Sequence, residues 1–191
     1  MPTPIVRFGP ALNDYRDQDG RLDAARYWRD AEAARVSWQR VGVRPDPIAI
    51  SLARLGTAWG AVVTPATIGG RAVFGGTLRE INAGALIHCH DINREFPTGL
   101  FDQEVVAQLA FTVWVTVPAA GGATTVWRHR WEPADEQRRQ AYGYRPETVE
   151  HSQHVSLTPE LGDGLLFNPP TSTRSSPTRP GAVSRSRSSW A

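Results

Sequence analysis

The chain has 191 residues, of which 40% are hydrophobic, and a formal net charge of +2, which suits one domain with a substantial core. The sequence contains no run of about 18 apolar residues, which argues against a membrane span, and its N-terminus shows no secretory signal. A single cysteine, Cys89, excludes an internal disulfide, and together these features predict a cytoplasmic protein.

The basic charge of the chain is concentrated near its C-terminus. All 21 basic residues are arginines, and four of them lie in residues 168–191, which contain no acidic residue. The preceding residues carry 17 arginines and 19 acidic residues, a net charge of −2. The basic isoelectric point is therefore not evidence that the folded part binds nucleic acid.

Helices are predicted in the first third of the chain. Residues 22–41 place apolar side chains at helical spacing, and Gly42 and residues 45–47 (Pro-Asp-Pro) would end that helix. A second helix is predicted over residues 48–59, followed by Gly60.

Short strands separated by glycine turns are predicted after the helices. They are residues 61–64, 71–74, 77–82, 85–90, 108–117, 123–130, 155–157 and 165–167. In residues 108–117 apolar side chains alternate with Gln108, Thr112 and Trp114, and Gly121-Gly122 predicts a turn into an antiparallel return strand. This order predicts an α+β protein built around a β-sandwich or jelly roll.

The densest chemical signal is the run Ile87-His88-Cys89-His90-Asp91. Residues two apart on a strand share a face, so His88 and His90 could bind one metal ion, whereas Asp91 would point away unless a bulge or strand end turns it back. Two histidines and one carboxylate form the ligand set of non-haem iron(II) oxygenases. The alternative is a pair of surface histidines that bind no metal.

Three runs in a fixed order carry a family resemblance. They are TLREINAGALIH with the following Arg94-Glu95, QLAFTVWVTVP with the following glycines and tryptophans, and LGDGLLFNP. Over residues 45–169 the chain resembles bacterial non-haem iron(II), 2-oxoglutarate-dependent oxygenases. The resemblance implies an α+β double-stranded β-helix (jelly roll), with N-terminal helices packed on it and its last strands missing.

The same resemblance implies a division of the chain and a chemistry. Residues 1–44 would be an N-terminal segment with a helix, 45–169 the oxygenase-like core, and 170–191 a disordered tail rich in Pro, Ser and Arg. Iron(II) and the cosubstrate 2-oxoglutarate would support dioxygen-dependent hydroxylation of a small molecule, such as an amino acid or a specialised metabolite. Membrane and nucleic-acid partners are not expected.

The implied site has a metal part and a pocket part. His88 is the expected metal ligand, and the second ligand stays open between His90 and Asp91, because His90 stands where the family has a carboxylate. Candidate residues for contact with the cosubstrate or substrate are Arg79, Gln108, Thr112 and Trp114.

The sequence departs from the family pattern after residue 167. The pattern requires a third histidine ligand and then an arginine that binds 2-oxoglutarate, yet no histidine follows His154. An alternative reading frame over the tail can encode a string close to NPRNFHAVQSHPAGRRLAVTFFLG, which contains both. We therefore hypothesise a single-nucleotide frameshift near residues 168–170.

Two rival functions follow from the same tail. The chain could be a catalytically dead relic of the fold that lacks the distal histidine and the cosubstrate-binding arginine. It could also be a polyanion-binding protein that uses the four arginines of its Arg/Ser tail.

Overall fold

The computed structural model describes residues 5–168 and 171–178. By contacts, the chain divides into two compact units. The helical unit comprises Arg7–Arg79 and Asp91–Ala107. The strand unit comprises Glu80–His90 and the described residues from Gln108 onward, together with the two described residues before Arg7.

Helix α1 (Ala24–Val41) is the longest element of the helical unit. Its N-terminus is capped by the Asp23 carboxylate, which accepts a hydrogen bond from the Arg26 backbone N–H, and it ends at Gly42 in the left-handed conformation. Tyr27 and Ala31 on this helix are fully buried and pack with Tyr15 in the core of the unit. The helix predicted over residues 22–41 is confirmed.

Helix α2 (Pro47–Trp59) confirms the second predicted helix. Asp46 caps its N-terminus by accepting from the backbone N–H groups of Ile48 and Ala49, and Gly60 ends it in the left-handed conformation. A third helix, α3 (Ile92–Glu95), is a single turn that begins directly after Asp91.

Short strands lie in the helical unit and at its boundaries, where Val6 and Glu80 already belong to the strand unit. Strand β1 (Val6–Phe8) pairs with β4 (Leu78–Glu80), and β2 (Thr67–Ile68) pairs with β3 (Arg71–Ala72). A 3-10 helix spans Leu12–Tyr15. No strand forms over residues 61–64, although the sequence predicted one there.

The described residues of the strand unit from Gln108 onward form seven strands. They are β5 (Ala110–Val113), β6 (Thr124–Arg130), β7 (Arg139–Gln140), β8 (Gly143–Tyr144), β9 (His154–Leu157), β10 (Gly164–Phe167) and β11 (Thr171–Ser175). Two 3-10 helices, Pro133–Arg138 and Pro146–Thr148, lie between β6 and β9. All the pairings between these strands are antiparallel.

The pairing of these strands differs from the predicted hairpin. Strand β5 pairs with β10, whereas β6 lies between β11 and β9. The prediction that residues 123–130 return against 108–117 is therefore wrong. Local alternation marks a strand, but the choice of partner depends on residues far away in the chain.

Segment 85–88 connects two of these sheets through backbone hydrogen bonds. Ile87 forms an antiparallel bridge with Tyr144 on β8, and His88 forms one with Thr173 on β11. Across the strand unit the order is therefore β8, segment 85–88, β11, β6 and β9. The prediction of a jelly roll stays a prediction, since these sheets do not by themselves close a barrel.

Strand β11 lies in the stretch for which the sequence predicted disorder. Ser172 and Thr173 are buried, and the strand pairs with β6 from Thr171↔Arg130 to Ser175↔Thr124, with one register shift between Thr171 and Thr173. Thr171–Ser175 is thus an ordered strand, and the prediction of a tail without structure does not hold there. Residues 179–191 lie outside the described residues.

Within the described part of the chain, none of the helices combines the length and the apolar character that crossing a bilayer requires.

Candidate functional site

His88 is held in place by its backbone and by its ring. Its backbone N–H donates to the Thr173 carbonyl at 2.9 Å, and its carbonyl accepts from the Thr173 N–H at 2.8 Å. The ring atom Nδ1 lies 2.7 Å from the Leu86 carbonyl oxygen. Because a carbonyl can only accept, Nδ1 carries the proton in this contact, and neutral His88 has its lone pair on Nε2. Metal-binding histidines commonly have this arrangement.

His90 lies beside His88 on the same face of the segment. The two ring centroids are 5.2 Å apart with an interplanar angle of 72°, a spacing at which each ring can direct one nitrogen toward a shared ion. Both side chains are half-buried, whereas Ile87 and Cys89, which alternate with them, are 3% and 7% exposed. The sequence prediction that the two histidines share one face agrees with this geometry.

Asp91 has a structural role in the helical unit. Its Oδ1 accepts hydrogen bonds from the backbone N–H groups of Asn93 and Arg94, at 3.0 and 3.3 Å, and so caps helix α3. A metal ion would have to compete with these bonds for that oxygen. The choice between His90 and Asp91 as the second ligand stays a prediction.

Sequence reasoning missed two residues next to His88. The Tyr142 hydroxyl accepts from the Leu86 backbone N–H at 2.8 Å, and the Tyr142 ring centroid is 6.2 Å from that of His88. Thr173 forms the antiparallel pair with His88, and cross-strand partners project to the same face of a sheet. Tyr142 is 56 positions and Thr173 85 positions from the residues they contact, so no local pattern points to either.

The row of residues that begins at His88 continues across the sheet. Thr173 pairs with Val126 on β6, and Val126 pairs with Val155 on β9. We call the side chains of His88, His90, Thr173 and Val126 the imidazole face. Val126 is half-buried and Val155 is 60% exposed, so the row ends in two accessible valines, with Thr173 between them and His88.

The predicted pocket residues fall into both units. Arg79 is on β4 in the helical unit and is exposed. Gln108, Thr112 and Trp114 belong to the strand unit, where Thr112 pairs with Leu165 and Trp114 exchanges backbone hydrogen bonds with Gly162 and Asp163. Their roles in binding cosubstrate or substrate stay predictions.

A second polar cluster surrounds another histidine of the strand unit. His129 Nε2 lies 2.9 Å from Oδ2 of Asp135, a carboxylate that is 3% exposed and also accepts from the Glu132 backbone N–H. These bonds join the end of β6 to the 3-10 helix Pro133–Arg138, which gives the pair a structural explanation.

The described residues bring the imidazoles of His88 and His90 together and do not form a larger cluster of metal-ligand side chains. Within residues 5–168 and 171–178, no group of three or more His, Cys, Asp or Glu side chains is arranged to hold a metal ion. Imidazole is a common ligand of divalent transition metals, and such sites usually have three protein ligands, so the metal-binding role of His88 and His90 stays a prediction.

Comparison with known proteins identifies two relatives. The chain is 56% identical over 168 residues to L-gamma-glutamyl-L-propargylglycine hydroxylase of Streptantibioticus cattleyicolor, which covers 88% of this chain and 63% of the relative. It is 28% identical over 105 residues to Leucinostatins biosynthesis cluster protein S of Purpureocillium lilacinum, covering 52% of this chain and 42% of that protein. The chain thus spans less than two thirds of either relative, and no family model matches it.

Proposed function

We propose that this chain derives from a hydroxylase that acts on a small amino-acid derivative. The observation that carries the proposal is the 56% identity over 168 residues to a protein named as a hydroxylase of L-gamma-glutamyl-L-propargylglycine. At this identity the fold and the main chemistry are usually shared, and the family resemblance of the sequence runs likewise implies hydroxylation of an amino acid or a specialised metabolite. The substrate class we propose is a γ-glutamyl dipeptide or a similar amino-acid conjugate.

Iron(II) and 2-oxoglutarate are the cofactor and cosubstrate that we assign to this reaction. The support is the resemblance of the three sequence runs and the adjacent imidazoles of His88 and His90, 5.2 Å apart. The overall change would convert a substrate C–H bond, dioxygen and 2-oxoglutarate into a C–OH bond, succinate and carbon dioxide. An iron(II) centre supplies the activation of dioxygen in such chemistry.

The residues of this chain have separate parts in the proposed site. His88 presents Nε2 as a ligand because the Leu86 carbonyl holds the proton on Nδ1. The Tyr142 hydroxyl accepts a hydrogen bond from the backbone N–H of the same Leu86 and so holds the backbone that precedes His88 in place. Val126, which pairs with Thr173 in the same row, would offer an apolar surface to a substrate bound on this face.

A turnover assay tests the proposed function. The 191-residue chain is incubated with Fe(II), 2-oxoglutarate, air and L-gamma-glutamyl-L-propargylglycine, and the reaction is followed by succinate release and by a substrate mass increase of one oxygen atom. We expect both signals to depend on each component and to vanish in His88→Ala. Oxygen incorporation without 2-oxoglutarate would contradict the assigned cosubstrate.

A second candidate, the catalytically dead relic, is favoured by one observation. The strand that pairs with His88 carries Thr173 at the paired position, and Thr173 contributes a hydroxyl rather than an imidazole or a carboxylate. If the relic is correct, the 191-residue chain releases no substrate-dependent succinate, although it folds.

The frameshift hypothesis bears on both candidate functions, the active hydroxylase and the catalytically dead relic. When the first two residues of the alternative-frame string are aligned with Asn168 and Pro169, the first of its two histidines falls at position 173 and the second at position 178. Sequencing the gene through codons 165–191 decides the matter: a missing or additional nucleotide near codon 170 supports the hypothesis, and a clean read in the present frame removes it. In the latter case the Arg/Ser tail belongs to the protein, and its proposed contact with polyanions can be tested by salt-dependent RNA binding.

A further inference from the structure

We infer that Arg128 and Arg130 on strand β6 bind the carboxylates of the substrate, a γ-glutamyl dipeptide. The inference rests on the proposed function for the substrate class, and it adds the residues that recognise the charge of that substrate. The binding step that it describes needs no metal ion.

The period of strand β6 places the two arginines on one face. Arg128 and Arg130 are exposed, whereas Trp127 and His129, which alternate with them, are half-buried. Trp127 packs against the buried core of the strand unit, and His129 is hydrogen-bonded to a buried carboxylate. Because residues two apart on a strand project to the same side, both arginines point away from this core, on the face that carries Val126.

The neighbours of the two arginines leave their positive charge uncompensated. Arg130 pairs with Thr171 on β11, and the Arg128 backbone N–H donates to the Gln153 carbonyl at 2.7 Å, beside β9. Both of these neighbours are neutral. In the part of the chain that the structure describes, neither guanidinium takes part in an ion pair. Two guanidinium groups on one face, with Cα atoms roughly 6.7 Å apart, therefore attract an anion.

The chemistry of the dipeptide matches this face. L-gamma-glutamyl-L-propargylglycine carries two carboxylates, because the γ-linkage leaves the α-carboxylate of the glutamyl residue free, and a guanidinium binds a carboxylate through two parallel hydrogen bonds. Its propargyl side chain is small and apolar. Val126 lies two residues before Arg128 on the same face, and Val155, which pairs with Val126, is 60% exposed. The face thus offers positive charge next to apolar surface, whereas 2-oxoglutarate has two carboxylates but no apolar side chain.

The test measures binding of the dipeptide to the 191-residue chain by calorimetry, without metal or 2-oxoglutarate. The variants are Arg128→Gln, Arg130→Gln and, as the matched control, Arg174→Gln. Arg174 is exposed on the same sheet and pairs with Thr125, so it lies on the opposite face. We expect each of the first two variants to weaken binding about threefold or more and Arg174→Gln to leave it unchanged. All three should unfold at the temperature of the unmodified chain, since the side chains are exposed.

Two further ligands distinguish the dipeptide from other carboxylates. The first is the dipeptide with its C-terminal carboxylate converted to an amide, which should bind more weakly and lose its sensitivity to one of the two substitutions. The second is 2-oxoglutarate, whose affinity should be the same in the unmodified chain and in both variants. Arg128→Lys keeps the charge but not the paired hydrogen bonds, so it should restore only part of the affinity that Arg128→Gln loses.

Three results would overturn the inference. They are a folded unmodified chain that does not bind the dipeptide, a loss of affinity in Arg174→Gln as large as in the other two variants, and an equal loss of affinity for 2-oxoglutarate. Arginine-dependent binding without turnover would support the inference and contradict the proposed hydroxylation. Turnover with the same KM for the dipeptide in both variants would support the hydroxylation and contradict the inference.

Discussion

The segment from Ile87 to His90 has two faces, one that is buried in a packed core and one that is half-buried. On one face Ile87 and Cys89 are buried and pack with Tyr144 and Val149, with Trp127 and Trp131 around them. On the other, His88 and His90 are half-buried, and Thr173 lies between His88 and two accessible valines. The first face is a packed core, whereas the second carries the two imidazoles that we propose as metal ligands.

The difference shows that a functional site tolerates fewer residue types at its positions than a packed core does. Apolar side chains of suitable volume fill the buried face, and neighbouring apolar residues can often replace one another there. The imidazole face brings His88 beside Thr173, which lies 85 residues further along the chain.

Breaking the buried face should produce the largest effect on stability. Tyr144 is 4% exposed, and its hydroxyl donates to Glu136 at 3.0 Å. Tyr144→Ala leaves a large cavity next to Ile87, and we expect it to lower the free energy of unfolding by about 3–5 kcal/mol. Chemical denaturation measures the loss. Tyr144→Phe, which removes only the hydroxyl, should cost about 1 kcal/mol; equal losses in the two variants would show that the ring is not part of a packed core.

A substitution that pushes β8 away from segment 85–88 should have the next largest effect on stability. A Cβ atom at Gly143 would meet the carbonyl oxygen of Ile87 and, at 2.7 Å, Cβ of Leu86. We expect Gly143→Ala to cost about 1–3 kcal/mol, because the backbone must shift to relieve this overlap. The matched control is Gly75→Ala, where the added Cβ meets its nearest atoms at an ordinary 3.9 Å. Thermal unfolding of both variants gives the comparison, and a loss in Gly75→Ala as large as in Gly143→Ala would refute the close approach.

Breaking the imidazole face should affect metal binding far more than stability. His88→Ala removes the ring whose Nδ1–H donates to Leu86, and we expect the affinity for Co(II) to fall about tenfold or more. The free energy of unfolding should change by less than about 1.5 kcal/mol, since the ring is half-buried. Calorimetry and denaturation of the same preparation check both values; a large loss of stability with unchanged Co(II) affinity would assign His88 to the core.

The smallest effect is expected from removing the hydroxyl of Thr173. Thr173→Val has nearly the same shape and loses a long contact of 3.4 Å to the His88 carbonyl. We expect unfolding to change by less than about 1 kcal/mol and the weak Co(II) binding to remain as it is. If Co(II) binding disappeared in Thr173→Val, the hydroxyl itself would be a ligand.

Local patterns in the sequence predicted the helices and several strands well. The ends of α1 and α2 follow from Asp23, Asp46, Gly42 and Gly60, whose capping roles act over a few residues. The alternation of His88 and His90 with buried Ile87 and Cys89 also follows from the period of a strand. These features depend on residues that are close in sequence, so they can be predicted without knowledge of the fold.

Features that depend on pairing between residues far apart in sequence could not be predicted in this way. The partner of β5 is β10 rather than β6, and the polar strand β11 forms although its residues have little apolar character. Its backbone hydrogen bonds to β6 and to His88 stabilise it from both sides. Tyr142 beside His88 was missed for the same reason, because a connection across the sheet brings it there.

The most direct test of the account asks which histidines meet the metal. The 191-residue chain contains five histidines: His88, His90, His129, His151 and His154. Their imidazole signals can be assigned in NMR spectra by single substitutions, and paramagnetic Mn(II) can be added in small amounts. We predict that the signals of His88 and His90 broaden together and first, while the other three stay sharp. Broadening that begins at His151 and His154, or that affects His88 without His90, would contradict the shared imidazole site.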